Sequence, residues 1–220
     1  MPHETQPTPH ASGILTDREV AQLLLSRDIV ITPILDDEQI GPTIDLRLGT
    51  EFVVKKMNNL SSYNPVRFLR RQREDSLYVD KYYERVSLVH PSEAFVLHPG
   101  EFALGCTLEF IVLPGNIGAQ LEGRSSWARE GLNVHSTAGL IHPGHKGIIV
   151  FELQNLGTHS LRLYPGIRVA QLLFYRLSSA VERPYVEERY SGMISTVFGR
   201  PWEDKEFNAI ERALPPEQRY

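Results

Sequence analysis

The residues best suited to chemistry in this chain are a Gly-Arg-Ser-Ser turn at 123–126 and a lone acid, Glu152, inside an apolar run. The turn brings together a guanidinium, two hydroxyls and backbone N–H groups, which are the donors that a phosphate needs. The acid lies between Phe151 and Leu153 in a segment that reads as a buried strand, where a carboxylate is costly unless it has partners or a function. Together the two features predict an enzyme that acts on a phosphorylated substrate.

Composition excludes several classes of protein. The 220 residues are 41% hydrophobic and 23% charged, which fits one large all-β domain with a core of its own. The net charge of −4 argues against nonspecific nucleic-acid binding, because such binding depends on a basic field. A single cysteine, Cys106, excludes an internal disulfide framework and fits a reducing cytoplasm. No apolar run has membrane-spanning length and no signal peptide is evident, so we expect a cytoplasmic protein without membrane or nucleic-acid partners.

The elements that must position these residues are mostly short strands. Thr16-Asp17-Arg18-Glu19 matches a capping box and predicts a short helix that ends near Ser26. Between about Ile29 and Leu177, short β-type runs alternate with Pro, Gly and Asn, and no helical pattern separates them. This pattern predicts a barrel or jelly-roll sandwich rather than a parallel sheet. The predicted strands are Ile29–Ile31, Thr43–Leu48, Glu51–Val54, Phe95–Leu97, Phe102–Val112, Gly118–Leu121, Gly147–Leu153, Ser160–Leu163 and Arg168–Tyr175.

Three further segments lack this β pattern. Residues 1–13, rich in Pro, His and Thr, are expected to form a flexible leader. In Asn64–Arg85 a group of arginines is followed at once by acids, which favours a solvated hairpin or insertion over a polyanion contact. A helix is predicted over Glu203–Leu214, since one of its faces would carry Phe207, Ile210 and Leu214.

The familiar nucleophile and metal motifs are absent from the sequence. It contains no Cys-x-x-Cys, His-Glu-x-x-His, Walker loop or Gly-x-Ser-x-Gly. The zinc deaminase signature requires a pair of cysteines, and Cys106 is the single one. We therefore expect no zinc.

A series of motifs resembles the dCTP deaminases of the dUTPase-like superfamily. In chain order these motifs are Ile44–Gly49, His98–Glu101, Gly123–Ser126, Thr137–Gly139, Pro143–Gly144, the strand with Glu152, and Gly166–Leu172. The resemblance extends from about residue 14 to 200 and implies a mostly β protein, a distorted β-barrel or jelly-roll of the dUTPase-like type, with an N-terminal and a C-terminal helix. It also implies three parts: the leader 1–13, a barrel domain 14–188, and a lid segment with a helix, 189–220.

The resemblance implies hydrolytic deamination of dCTP at cytosine C4. In this family the residue that matches Glu152 activates a water and then passes protons to the departing ammonia. Ser125 and the backbone carbonyl of Ala138 would hold that water, and Arg129 would support the site. Mg²⁺ would be carried by the substrate phosphates, with no metal ligands from the protein. A homotrimer with shared active sites is also implied.

The implied substrate-binding residues surround this centre. Arg124 and Ser126 resemble a triphosphate clamp, and Gln171 resembles a nucleotide- or phosphate-contacting glutamine. Arg189 stands in the presumed lid, where the family usually has a lysine. The full implied set is Arg124, Ser126, Thr137, His142, Gln171, Arg189 and Tyr190.

Three residues depart from the family pattern. His142 stands where the family has an aspartate that grips the deoxyribose 3′-hydroxyl, and His145 stands where an aromatic ring usually packs on the sugar. A neutral histidine can hydrogen-bond a hydroxyl but does not supply the same negative charge. Met193 replaces a lid glutamine and lacks its hydrogen bonds. Elsewhere, His135 is interpreted as a hydrogen-bonded structural residue.

These departures leave the product and the activity open. Gly139 in Thr-Ala-Gly resembles members that go on to dUMP and diphosphate, whereas His142 argues against triphosphate cleavage and for dUTP. Two alternative functions also stay open. The first is a dUTP or dCTP diphosphatase with little deamination, and the second is a catalytically weakened, nucleotide-binding regulatory module.

Overall fold

The computed structural model describes residues 12–56, 82–90, 92–185 and 191–196, together with Glu206 and Arg212. Residues 1–11 of the predicted leader, most of the 64–85 segment, and both Arg189 and Tyr190 lie outside the described residues. Most of the predicted C-terminal helix also lies outside them, and its two described residues, Glu206 and Arg212, are helical.

The predicted N-terminal helix is confirmed as α1, Asp17–Ser26. The Thr16 hydroxyl accepts a hydrogen bond from the Glu19 N–H at 3.3 Å, and the Glu19 carboxylate accepts one from the Thr16 N–H at 2.9 Å. This reciprocal pair is the capping box that the sequence predicted. Val20 is fully buried and attaches the helix to the core.

Most of the regular secondary structure in the rest of the described chain is strand, as predicted. Residues Ser125–Arg129 form a short helix, α2, and Asp37–Gln39 form one 3-10 turn. The strands are β1 (Gly13–Ile14), β2 (Val30–Thr32), β3 (Ile44–Arg47), β4 (Glu51–Lys55), β5 (Tyr83–Ser87), β6 (Phe95–Leu97), β7 (Phe102–Val112), β8 (Ile117–Gly123), β9 (Leu132–Asn133), β10 (Leu140–Ile141), β11 (Lys146–Asn155), β12 (Leu161–Leu163) and β13 (Arg168–Arg176).

These strands form antiparallel ladders in three sheets. The first sheet has the order β1-β13-β8-β10, and β3 also pairs with β13. The second has the order β5-β4-β7-β11-β9, and β2 also pairs with β7. The third is the pair β12-β6. Gly13, assigned to the leader, pairs with Arg176 at the edge of the first sheet.

One apolar core joins the two larger sheets. Leu121 and Phe174 of the first sheet belong to the same buried cluster as Ile111 and Phe151 of the second. Along β11 buried and half-buried residues alternate, so successive side chains point to opposite faces. The strand therefore presents one row of side chains to the core and the other row away from it. No helix among the described residues has the length and apolar character that a membrane crossing requires.

Candidate active site

Glu152 lies in β11, opposite Leu104 of β7, and is half-buried. Its neighbours Phe151 and Leu153 are fully buried, so Glu152 points away from the apolar core. Its Oε2 accepts hydrogen bonds from the backbone N–H of Ser136 at 2.8 Å and of Thr137 at 3.2 Å. Among the described residues nothing donates to Oε1. One carboxylate oxygen is thus fixed and the other is available to a ligand or a water.

The segment 132–139 links this carboxylate to the end of β8. The backbone N–H of Glu152 donates to the Val134 carbonyl at 3.0 Å, and the N–H of Leu121 donates to the Gly139 carbonyl at 2.7 Å. A Cβ on Gly123 would lie 3.5 Å from the Val134 side chain. The segment therefore touches both the strand that carries Glu152 and the strand that leads into the Gly-Arg-Ser-Ser turn. Thr137 and Ala138 lie within it and are exposed.

The predicted Gly-Arg-Ser-Ser turn is the junction between β8 and α2. Arg124 is the N-cap of the helix, and its carbonyl accepts hydrogen bonds from the N–H groups of Trp127 and Ala128, both at 3.0 Å. The Trp127 indole N–H donates to the Arg168 carbonyl at 3.0 Å and attaches α2 to β13. Ser125, Ser126 and Arg129 are exposed and face solvent in the single chain.

Arg124 contacts a residue of β3, and Gln171 contacts the residue that precedes this strand. The Arg124 Nε lies 3.4 Å from Oδ1 of Asp45. The Gln171 amide accepts from the Thr43 hydroxyl at 2.8 Å and donates to the Gly123 carbonyl at 3.2 Å. The structure thus brings Gln171 to the base of the turn, where its amide braces the backbone.

His142 and His145 lie on either side of a tight turn. His142 is exposed, whereas His145 is 8% exposed and its Nε2 lies 3.3 Å from the Gly147 carbonyl. Tyr185 stacks on both rings, with centroids 5.3 Å from His142 and 6.1 Å from His145. Burial lowers the pKa of His145, which keeps its imidazole neutral at pH 7.

Met193 contacts the same region through its backbone. It forms a parallel bridge with Gly147, and its carbonyl accepts from the Ile148 N–H at 3.0 Å. Gly192 donates to the Lys146 carbonyl at 2.6 Å. The tail segment 191–196 therefore runs along the start of β11 and is held there by main-chain hydrogen bonds.

His135 does not match its predicted role as a hydrogen-bonded structural residue. Its Nδ1 is buried and has no hydrogen-bond partner among the described residues, and its Nε2 is 4.0 Å from a carboxylate oxygen of Glu122. A Cβ on Gly139 would lie 3.1 Å from the His135 ring. The glycine of Thr-Ala-Gly therefore gives the imidazole the space it occupies.

A second acid lies in an apolar strand and was not among the residues predicted from the sequence. Glu109 is fully buried in β7, and its carboxylate accepts hydrogen bonds from the Arg47 backbone N–H at 2.9 Å and the Gln39 amide at 3.0 Å. Burial raises the pKa of Glu109 above its usual value, and the hydrogen bond from the Arg47 N–H offsets part of that rise. Flanking Leu108 and Phe110 gave the same signal that singled out Glu152. Its partners show it to be part of the core.

Within the described ranges no three His, Cys, Asp or Glu side chains are grouped so that they could hold a metal ion. Mg²⁺ keeps several waters and commonly binds through substrate phosphates with few protein carboxylates. The expectation of a magnesium ion carried by the substrate phosphates stays a prediction. The expectation about zinc stays a prediction.

The fold defines the class as mostly β proteins built from antiparallel ladders. The fold is similar to the crystal structure of 2′-deoxycytidine 5′-triphosphate deaminase from Agrobacterium tumefaciens, with a TM-score of 0.57. The two chains are 20% identical, and the similarity covers 76% of this chain and 49% of that chain. At that identity the comparison establishes the fold.

Sequence comparison establishes the family. Residues 14–177 match the model of the dCTP deaminase-like family, and the chain belongs to that family. A dCTP deaminase of Natronomonas pharaonis is 43% identical over 199 residues, which are 88% of this chain and 97% of the relative. A protein of Methanobrevibacter smithii named dCTP deaminase, dUMP-forming, is 40% identical over 174 residues, which are 79% of this chain and 85% of the relative.

Proposed function

We propose that this protein hydrolytically deaminates dCTP, with Glu152 as the general base and acid. A water held near Glu152 gives a proton to the carboxylate while its oxygen attacks cytosine C4. The carboxylate passes this proton to N3 of the base and then carries the proton of the new C4 hydroxyl to the amino nitrogen, so that C4=O forms, the C4–N4 bond breaks, and ammonia leaves with dUTP as the other product. The family and the names of the relatives support the substrate.

The observation that carries this proposal is how the two oxygens of the Glu152 carboxylate are hydrogen-bonded. Two backbone N–H groups hold Oε2, so the side chain has one orientation and pays no reorganisation cost at reaction. Oε1 accepts nothing from the described part of the chain, and it is the oxygen that would take the proton of the water. A general base must be within hydrogen-bond reach of that proton, and the half-buried position at the protein surface allows this.

The residues around α2 would bind the triphosphate and complete the catalytic group. Ser125 and the Ala138 carbonyl would hold the water, and Arg129 would support the site. Arg124 and Ser126 would grip the phosphates, and Gln171 would keep their backbone in place. Thr137, Arg189 and Tyr190 would complete the nucleotide contacts. Mg²⁺ on the phosphates supplies charge neutralisation when it is bound.

We propose a homotrimer in which subunits share the active sites. In the single chain Ser125, Ser126, Arg129 and His142 are exposed, which leaves them accessible to a nucleotide or a neighbouring subunit. Sedimentation equilibrium of the purified protein tests the assembly, and a monomer at micromolar concentration would contradict it.

A second product is favoured by one observation. Relatives that include the Methanobrevibacter smithii protein are named dUMP-forming, and Gly139 in Thr-Ala-Gly resembles members of that kind. A bifunctional enzyme would cleave the triphosphate as well and release dUMP and diphosphate. His142 would then have to take part in sugar recognition without the negative charge of an aspartate.

Incubation of the protein with dCTP and Mg²⁺, followed by mass spectrometry and an ammonia assay, tests the function. Deamination predicts one ammonia for each dCTP consumed, with dUTP or dUMP as the nucleotide product. Diphosphate without ammonia would replace the proposal with a diphosphatase. Tight dCTP binding with neither product would indicate the regulatory module.

A further inference from the structure

Six charged side chains form an ordered series that begins in the core at Glu109 and ends at Arg124. Glu109 lies 3.5 Å from the Arg47 guanidinium, which contacts Oδ2 of Asp36 at 2.5 Å. Oδ1 of Asp36 accepts from Nη2 of Arg168 at 2.6 Å. Arg168 Nη1 then lies 3.5 Å from Oδ2 of Asp45, whose Oδ1 faces Arg124 Nε at 3.4 Å. We call Asp36, Arg168, Asp45 and Arg124 the charge relay.

The core end of this series, formed by Glu109 and Arg47, is rigid and adjoins the relay at Asp36. The Arg47 side chain is 5% exposed and that of Glu109 is not exposed at all. Gln39 donates to the Glu109 carboxylate and accepts from the Arg47 guanidinium, so both charges are hydrogen-bonded within the core. Asp36 is thereby attached to a fixed point, although its own side chain is 40% exposed.

At the outer end of the relay, Asp45 orients the guanidinium of Arg124. The contact between Asp45 and Arg124 is at Nε, so it does not occupy the two terminal nitrogens of the guanidinium. Those two nitrogens form the fork that binds phosphate oxygens in pairs. An arginine held by Nε is preorganised for an anion, since its side-chain entropy has already been lost.

Asp36 limits how Arg168 can approach Asp45 and so leaves one Asp45 oxygen to Arg124. The single carboxylate of Asp45 faces two guanidinium groups, one on each oxygen. Because Nη2 of Arg168 donates to Asp36, Arg168 contacts Asp45 through Nη1. Without Asp36, Arg168 could turn and take both Asp45 oxygens, because bidentate pairing is the stronger arrangement. Arg124 would then lose its partner.

We propose that Asp36 is a positioning residue for phosphate binding, which acts on Arg124 through Arg168 and Asp45. This inference rests on the proposed function, because it takes Arg124 as a triphosphate ligand. Asp36 lies outside the motifs that carried the sequence interpretation, in the loop before β3.

Glu38 supplies a matched control. Its carboxylate lies 3.9 Å from the same Arg168 nitrogen, but its side chain is 89% exposed and does not bridge to Arg47. Asp36→Asn and Glu38→Gln each remove one negative charge from the surroundings of Arg168. Simple electrostatics predicts slightly tighter triphosphate binding in both variants. The relay predicts weaker binding in Asp36→Asn alone.

The experiment is calorimetric titration of wild type and both variants with dCTP and with inorganic triphosphate, in the presence of Mg²⁺. Asp36→Asn should raise the Kd of both ligands by about tenfold, the ratio that corresponds to one charge-assisted hydrogen bond. Glu38→Gln should stay within about twofold of wild type, as expected for an exposed charge. In steady-state kinetics Asp36→Asn should raise KM and leave kcat at saturating dCTP nearly unchanged.

Two results would overturn the proposal: equal Kd values in the two variants, or a loss of kcat in Asp36→Asn at unchanged Kd. If Asp36→Asn does not fold, Asp45→Asn takes its place in the comparison with Glu38→Gln, because it removes the carboxylate that contacts Arg124. Wild type that binds both ligands but releases no ammonia would refute deamination, and the comparison of Kd values would still decide the role of Asp36.

Discussion

The carboxylate of Glu152 accepts a hydrogen bond from the backbone N–H of Ser136 at 2.8 Å. The contact joins β11 to the segment 132–139, and a second N–H, from Thr137, reaches the same oxygen at 3.2 Å. A main-chain donor does not depend on the side chain at position 136, so the orientation of the acid is set by the path of the backbone.

Ser136→Pro removes the 2.8 Å donor, while Ser136→Ala keeps it. We expect kcat for deamination to fall about 10-fold to 100-fold in the proline variant, because the base is then misplaced. The alanine variant should stay close to wild type. Steady-state kinetics with melting temperatures as a folding control checks this. Equal kcat in two folded variants would show that the hydrogen bond does not orient the base.

His142→Ala should raise the KM for dCTP by about 2-fold to 10-fold, the effect of one neutral hydrogen bond. His142→Gln should preserve most of the affinity, since glutamine can still bond a sugar hydroxyl. Initial rates with dCTP and CTP, compared across the three proteins, measure the contribution to sugar recognition. An unchanged KM in the alanine variant would remove His142 from the substrate contacts.

Protonation of His145 should destabilise the fold. Burial lowers its pKa in the native state, so below about pH 6.5 the unfolded chain binds a proton that the folded chain does not. The stabilisation is therefore complete above pH 6.5 and is lost as the pH falls toward the lowered pKa.

Urea unfolding of wild type, His145→Gln and the exposed-site control His159→Gln between pH 5 and 7.5 tests this expectation. His145→Gln should flatten the loss of stability on the acid side, and His159→Gln should not. Parallel pH profiles for all three would contradict a buried neutral imidazole.

Gly147→Ala should weaken the attachment of the tail. Gly147 has φ = 144°, and a Cβ there would lie 2.9 Å from the Met193 carbonyl oxygen. Gly100 also has a positive φ, of 75°, but a Cβ there would meet nothing within 4 Å. Gly100→Ala should thus cost about 1–2 kcal/mol from the backbone alone, and Gly147→Ala should cost more. Chemical denaturation measures both, and equal costs would show that the contact with Met193 yields freely.

Local patterns explain why much of the fold could be predicted. Phe95–Leu97 and Phe102–Val112 have the bounds that their β-type runs indicated, and the Thr16 capping box forms as read. These signals depend on residues close together in the chain. By contrast, β9 and β10 contain two residues each, which are too few to show a periodic pattern of apolar residues. The helix α2 has five residues, and the sequence predicts a turn there.

Long-range contacts explain what the sequence did not disclose about the site. Asp36 and Arg168 are 132 positions apart, and no local pattern connects them. Glu109 and Glu152 share one sequence signal, a lone acid among apolar residues, yet one is enclosed by Arg47 and Gln39 while the other faces outward. Only the partners that folding brings to each carboxylate distinguish a structural acid from a candidate base.

Ammonia release from dCTP by Glu152→Gln tests the role of Glu152 as the base, with Glu84→Gln as a control on the exposed face of β5. Glutamine keeps the shape and an oxygen acceptor for Ser136 but cannot take a proton from water. We expect a loss of at least about 100-fold in kcat, within the range for general base catalysis, and dCTP binding within a few-fold of wild type. Glu84→Gln should match wild type. A Glu152→Gln variant that releases ammonia at the wild-type rate would exclude Glu152 as the general base.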